Sequence, residues 1–68
     1  MTETIISYYL NGEYIEGWDY QLSEGEEVDM RAAADNLTDW VDGDILTALV
    51  RTWDGSQLVE QEYSIELG

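Results

Sequence analysis

Hydrophobic and polar positions follow a strand pattern near each end of this chain and recur at helical spacing between them. The first stretch opens with Ile5-Ile6-Ser7-Tyr8-Tyr9-Leu10, a β-branched and aromatic run that suits a pleated, half-buried surface. Asn11-Gly12 follows, a strong hairpin signal because both positions of a type I′ turn need φ > 0. The pattern predicts a return strand over Glu13 to Leu22, with Gly17 marking a bulge. A two-residue turn sets Tyr9 opposite Tyr14 and Leu10 opposite Glu13. Ile5, Tyr9, Tyr14, Trp18 and Tyr20 then share one face, and that face reads as core.

Met30, Ala33, Ala34, Leu37, Trp40 and Val41 recur at helical spacing and predict an amphipathic helix, with Gly43 at its C′ position. Ser23 and Glu26 have capping-box spacing, and Asp29 is a second candidate N-cap. Asp44 to Trp53 is apolar on both faces, as a well-covered strand would be. Asp54-Gly55 supplies another hairpin turn, and Gln57 to Leu67 alternates as a final strand. Val59, Tyr63, Ile65 and Leu67 face one way; Leu58, Glu60, Glu62, Ser64 and Glu66 face the other. Leu37, Trp40, Val50, Val59 and Tyr63 are expected in the core.

The order ββαββ predicts an α+β fold, with one helix packed on a four-stranded, mainly antiparallel sheet, as a single domain over 1–68. One economical closure sets the first and last strands side by side in a β-grasp-like order, 2-1-4-3. That layout, with the Leu10-Asn11-Gly12 turn, resembles the small immunoglobulin-binding domains of bacterial cell-wall proteins. The resemblance implies topology alone.

Charge changes the picture. Sixteen acidic residues face two basic ones, Arg31 and Arg51, for a formal net charge of -14. Self-repulsion of this size opposes folding, yet 44% hydrophobic residues, three Trp and five Tyr argue for a folded chain. Trp18 and Trp40 read as core anchors, while Trp53 stands beside the second turn. Crowded carboxylates are expected to carry raised pKa values, so that stability rises with salt and falls as pH rises above neutrality. A domain of this length buries only about 60% of its unfolded surface and is marginal to begin with.

Catalytic equipment is sparse. Without His, Cys or Lys, the candidates are carboxylates, Tyr hydroxyls and four Ser, so no catalytic residue is assigned and an enzyme is not expected. Absence of Cys and His argues against disulfides and a structural zinc, and no cofactor is expected. Asp39-Trp40-Val41-Asp42-Gly43-Asp44 gathers carboxylates near a glycine but does not match the spacing of a calcium loop. The first residues lack the basic and apolar regions of a signal peptide, and no apolar run approaches a membrane span. A cytoplasmic protein without membrane contact is expected.

The acidic residues themselves are the candidate site. Asp35, Asp39 and Asp42 are expected on the helix face opposite the apolar stripe. Glu60, Glu62 and Glu66 fall on one face of the last strand, where alternate residues stand roughly 6.8 Å apart. Glu24, Glu26 and Glu27 crowd the loop entering the helix, and Arg51 is expected diagonally near Glu60 as a local cross-strand partner.

In size, charge, lack of catalytic residues and compact α+β outline, the chain resembles small acidic phage-encoded inhibitors that mimic DNA, including anti-CRISPR proteins. The resemblance implies that carboxylates take the place of phosphates on a basic nucleic-acid-binding protein such as a CRISPR effector complex. It further implies a monomer that works in the host cytoplasm and contacts no nucleic acid itself. Two other readings stay open. A salt-adapted halophile domain would spread its acids evenly, and an immunity protein or antitoxin would plug the basic active site of a nuclease.

Overall fold

A computed structural model describes residues 3–23 and 25–68 of the chain. The turn at Asn11-Gly12 sets the first register. The two residues take φ values of 52° and 84°, the positive pair a type I′ turn requires. Strand β1 (Glu3–Leu10) therefore folds back on β2 (Glu13–Tyr14), with Tyr9 opposite Tyr14 and Leu10 opposite Glu13.

The return arm does not continue as one strand. It leaves the sheet after Tyr14, passes Gly17 at φ 83°, and rejoins β1 as β3 (Tyr20–Leu22). The first register would bring Trp18 opposite Ile5, but Gln21 stands there, so three extra residues are accommodated. An odd insertion exchanges the two faces. This corrects the expected common face. Ile5, Tyr9 and Tyr14 lie on one side, while Tyr20 pairs with Ile6 on the other, where Trp18 meets Tyr8 edge-on at 5.6 Å.

Helix α1 (Met30–Asn36) is shorter than its apolar stripe suggests. Asp29 is the N-cap, its Oδ1 accepting the Ala32 N–H at 3.1 Å. Leu37 ends the helix in an extended conformation. Asn36, Thr38, Asp39 and Asp42 crowd the stretch that would extend it, and such side chains favour local non-helical bonds. Gly43, at φ 95°, serves a tight turn instead, in which the Asp44 N–H donates to the Val41 carbonyl at 3.1 Å. Val41 is consequently 69% exposed, outside the apolar face predicted for it. The Ser23–Glu26 box does close, with the Ser23 N–H donating to Glu26 Oε1 at 2.8 Å, but on a turn that no helix immediately follows.

Strands β4 (Ile45–Trp53) and β5 (Leu58–Glu66) complete an antiparallel five-stranded sheet of order β2-β1-β4-β5, with β3 also on β1. The molecule is α+β, as its pattern predicts, but the β-grasp-like order is corrected. β4, not the last strand, pairs along the whole of β1, from Glu3 opposite Trp53 to Leu10 opposite Leu46. The reason lies in covering. β4 carries no carboxylate and suits the centre, whereas the three glutamates of β5 suit an edge. Since β3 and β4 both run antiparallel to β1, they are parallel to each other, and their connection must cross one face. That connection carries α1.

The core forms on the helix side, from Ile6 and Tyr8 of β1, Leu46, Ala48 and Val50 of β4, Ala33 of α1, and Leu67. Leu37 and Trp40 are partly buried at its margin. Val59 and Tyr63, expected in the core, face the same side but stay 45% and 42% exposed. Helix α1 approaches the sheet over β5, but its seven residues span only roughly 10 Å and leave Val59 and Tyr63 of that strand nearly half exposed.

Candidate functional site

Asp54 organises the second hairpin. Its Oδ1 accepts the Ser56 N–H at 2.9 Å, the Ser56 hydroxyl at 3.0 Å and the Gln57 N–H at 2.9 Å. These bonds close the Asp54–Gln57 loop and lock the register of β4 on β5. Arg51 then stands opposite Glu60, Leu49 opposite Glu62, Thr47 opposite Ser64 and Ile45 opposite Glu66. Because Leu46, Ala48 and Val50 point into the core, these pairs occupy the other face of the sheet.

No element among the described residues covers that face. Its middle is mixed, with Ile5, Tyr9 and Leu49 beside Ser7, Thr47 and Arg51. Trp53 and Leu58 form one exposed end, Ile45 and Tyr14 the other, and the rings of Tyr9 and Tyr14 lie 5.7 Å apart. Ser7 is buried here even so. The Arg51 guanidinium reaches across from β4 and donates from Nη2 to Ser7 Oγ at 3.0 Å. Arg51 is thus directly opposite Glu60 in register, while its hydrogen bond goes to the neighbouring strand. Shallow depressions flank this spot, one beside Ile5, Arg51, Trp53 and Leu58, another beside Tyr9, Leu49 and Glu62.

Glu60, Glu62 and Glu66 are brought together as expected, in one exposed row along the rim of this face. Asp35, Asp39 and Asp42 are not brought into a helical stripe. Only Asp35 belongs to α1; Asp39 and Asp42 lie in the irregular chain beyond it, so the predicted row is corrected. Glu26 and Glu27 are exposed on the helix side, beside a groove of about 430 Å³ between β1, β3 and α1. Glu26 is already engaged there, accepting the Ser23 N–H and, at 3.0 Å, the Tyr20 hydroxyl. Glu24 lies outside the described residues. One flat partner cannot touch both the β5 row and the helix-side acids, which sit on opposite sides of the sheet.

The carboxylates with resolved shifts move downward, against the expectation from crowding. The Asn11 side-chain amide, and then the Val41 N–H, hold Asp44 below its ordinary value. The Ser56 and Gln57 N–H groups do the same for Asp54, and the Ser23 N–H for Glu26. Hydrogen bonds to the ionised form outweigh repulsion at these positions. Tyr14 and Tyr20 are pushed up because each donates to a carboxylate, Asp19 and Glu26 respectively.

Residue patterns place Ile5, Tyr9 and Tyr14 on one face but read it as core. The structure corrects this, because the core forms on the Ile6 and Tyr8 side and these three stand with Ile45 and Leu49 on the uncovered face. A signal was present nonetheless. β4 is apolar on both faces, and a chain with one helix can roof only one of them. Among the described residues no group of three or more metal-ligating side chains is placed to hold an ion. Among the described residues no helix is long and apolar enough to cross a membrane. Comparison with known proteins finds no matching family model, no matching curated protein and no matching solved structure.

Proposed function

We propose that the protein is a non-catalytic inhibitor that docks on the Lys/Arg surface of a nucleic-acid-binding protein and occupies it in place of DNA. Its most specific form is an anti-CRISPR protein that blocks target DNA from an effector complex in the host cytoplasm. The observation that carries the reading is the row Glu60, Glu62 and Glu66 on an exposed strand, bordered by exposed Trp53 and Leu58. Carboxylates roughly 6.8 Å apart at Glu60 and Glu62, with Glu66 about twice that distance further on, offer repeated anionic contacts to a channel built for phosphates. Exposed aromatic and aliphatic side chains beside them supply the desolvated anchors that charge alone lacks. Complementary charge steers the encounter and sets its rate; the anchors slow its reversal.

The β5 row is preferred over Asp35, Asp39 and Asp42 because a continuous ladder to β4 holds it, whereas Asp39 and Asp42 ride on irregular chain. A second reading, a salt-adapted domain, is favoured by the acids found on both sides of the sheet, for which mimicry needs only one. One experiment separates the two. Labelled target DNA is displaced from a CRISPR surveillance complex by added protein at increasing salt. Glu60→Lys, Glu62→Lys and Glu66→Lys combined should abolish displacement, and reversal of Asp35, Asp39 and Asp42 should reduce it less, with both variants still folded. Equal losses from both, or binding that leaves DNA in place, would remove the mimic reading.

A further inference from the structure

The phase of the β4–β5 ladder determines which backbone groups of β5 remain free. At one end the Leu67 N–H donates to the Asp44 carbonyl at 2.7 Å; at the other the Asp54 N–H donates to the Gln57 carbonyl at 3.3 Å. Both pairs continue the register of the strands between them. Hydrogen-bonded and non-bonded pairs alternate in an antiparallel ladder. Counting inward by twos from either end gives the same answer: Val59, Gln61, Tyr63 and Ile65 spend their N–H and C=O groups on β4. Leu58, Glu60, Glu62, Ser64 and Glu66 aim theirs away from the sheet.

Among the described residues no strand pairs with that outer edge. It is nine residues long and exposed over nearly all of its length, whereas the opposite edge is divided between the short strands β2 and β3. A long free edge is a template for strand addition. The glutamates narrow what can be added. In an antiparallel copy-to-copy pairing, any register overlapping most of β5 sets glutamates opposite glutamates, on chains that each carry a net charge of -14. A strand bearing Lys or Arg at alternate positions would meet the opposite situation.

We infer that the outer edge of β5 accepts an antiparallel, basic strand from the partner, extending the sheet by one strand. Backbone groups of Glu60, Glu62, Ser64 and Glu66 form the new ladder. The partner's basic side chains lie over the three glutamates on the uncovered face. Its intervening residues are apolar or β-branched and cover Val59 and Tyr63 on the helix side, where both are now exposed. This inference rests on the reading of the β5 row as the docking row, and adds that recognition is through backbone as well as charge.

The test leaves the protein unaltered. Two synthetic nine-residue peptides, lysine alternating with valine, are titrated in at moderate salt; one is methylated on every lysine amide nitrogen. Charge is the same in both, but only the unmethylated peptide can donate a ladder. It should slow amide hydrogen exchange at Glu60, Glu62, Ser64 and Glu66, and bind about tenfold or more tightly than its methylated counterpart. Equal affinity of the two peptides would overturn edge pairing while leaving the carboxylate row as a charge-only docking site. Protection confined to β2 and β3, no binding by either peptide, or concentration-dependent protection without peptide would overturn it too. Edge protection together with failure to displace DNA from an effector complex would sustain the strand-addition site and remove the DNA-mimic reading.

Discussion

Individual side chains in this molecule do two jobs that a charge count hides. Asn11 is a turn residue at φ 52°, and it also fastens the turn to the start of β4. Its Oδ1 accepts the Ile45 N–H at 2.9 Å, its Nδ2 donates to Asp44 Oδ1 at 3.0 Å, and its own N–H donates to the Ile45 carbonyl at 2.8 Å. Asp44 completes the arrangement by accepting the Val41 N–H at 3.0 Å. Its folded pKa is depressed, so the unfolded chain binds its proton more readily. The stability it contributes is therefore present above the ordinary Asp value of about 3.9 and is lost as pH falls through the lower folded value. Asp44→Asn should be less stable than the parent at pH 7, and the gap should close as pH is lowered below about 4. Chemical denaturation at a series of pH values measures it; a gap independent of pH would show that the ionised carboxylate is not what holds the turn.

Elements follow from how far one short helix can reach. Leu46 is fully buried in the core, Leu37 lies at its margin, and Val59 is 45% exposed. Leu46→Ala should cost about 2–5 kcal/mol, the range for a buried leucine. Leu37→Ala should cost less and Val59→Ala least, because less surface is withdrawn from water at each. Thermal melts of the three variants give the order directly. If Val59→Ala were the most damaging, the exposed end of β5 would have to be covered by another surface. The return arm teaches a related point. Composition marks Gly17 as an irregularity, but not that three residues would be accommodated, and parity alone decides that Tyr20 joins the core side while Tyr14 leaves it.

At the scale of the whole molecule, sixteen acids share a surface with two arginines. Repulsion among them is long-ranged at low ionic strength and is screened within about 8 Å at physiological salt. The thermal midpoint should therefore rise as salt is raised from a few millimolar toward that range. A flat midpoint would mean that hydrogen-bonded acids such as Asp44, Asp54 and Glu26 have offset the repulsion locally. The uncovered face has a consequence of its own. With Ile45, Trp53 and Leu58 near half exposure, self-association would be expected of a neutral protein. The glutamate row at its rim opposes it.

The first, fourth and fifth strands, the Asn11-Gly12 turn, the Asp29 cap and the facing of Glu60, Glu62 and Glu66 were legible in the order of residues, because each depends on neighbours within a few positions. The return arm instead splits into β2 and β3, and the second turn centres on Gly55 and Ser56 rather than on Asp54-Gly55. Asn11-Gly12 demands its turn wherever it stands, and alternation on β5 assigns faces without knowing what lies across them. Strand order, the early end of α1 and the bare face of the sheet were decided only by the tertiary structure. Each depends on a competition between distant segments. β4 and β5 could both have claimed the place beside β1, and β4 holds it since an edge exposes carboxylates to water at no desolvation cost. Asp35, Asp39 and Asp42 were read as one stripe on the assumption that helical spacing guarantees a helix, and the helix ends at Leu37 amid Asn36, Thr38 and Asp39, residues of low helix propensity.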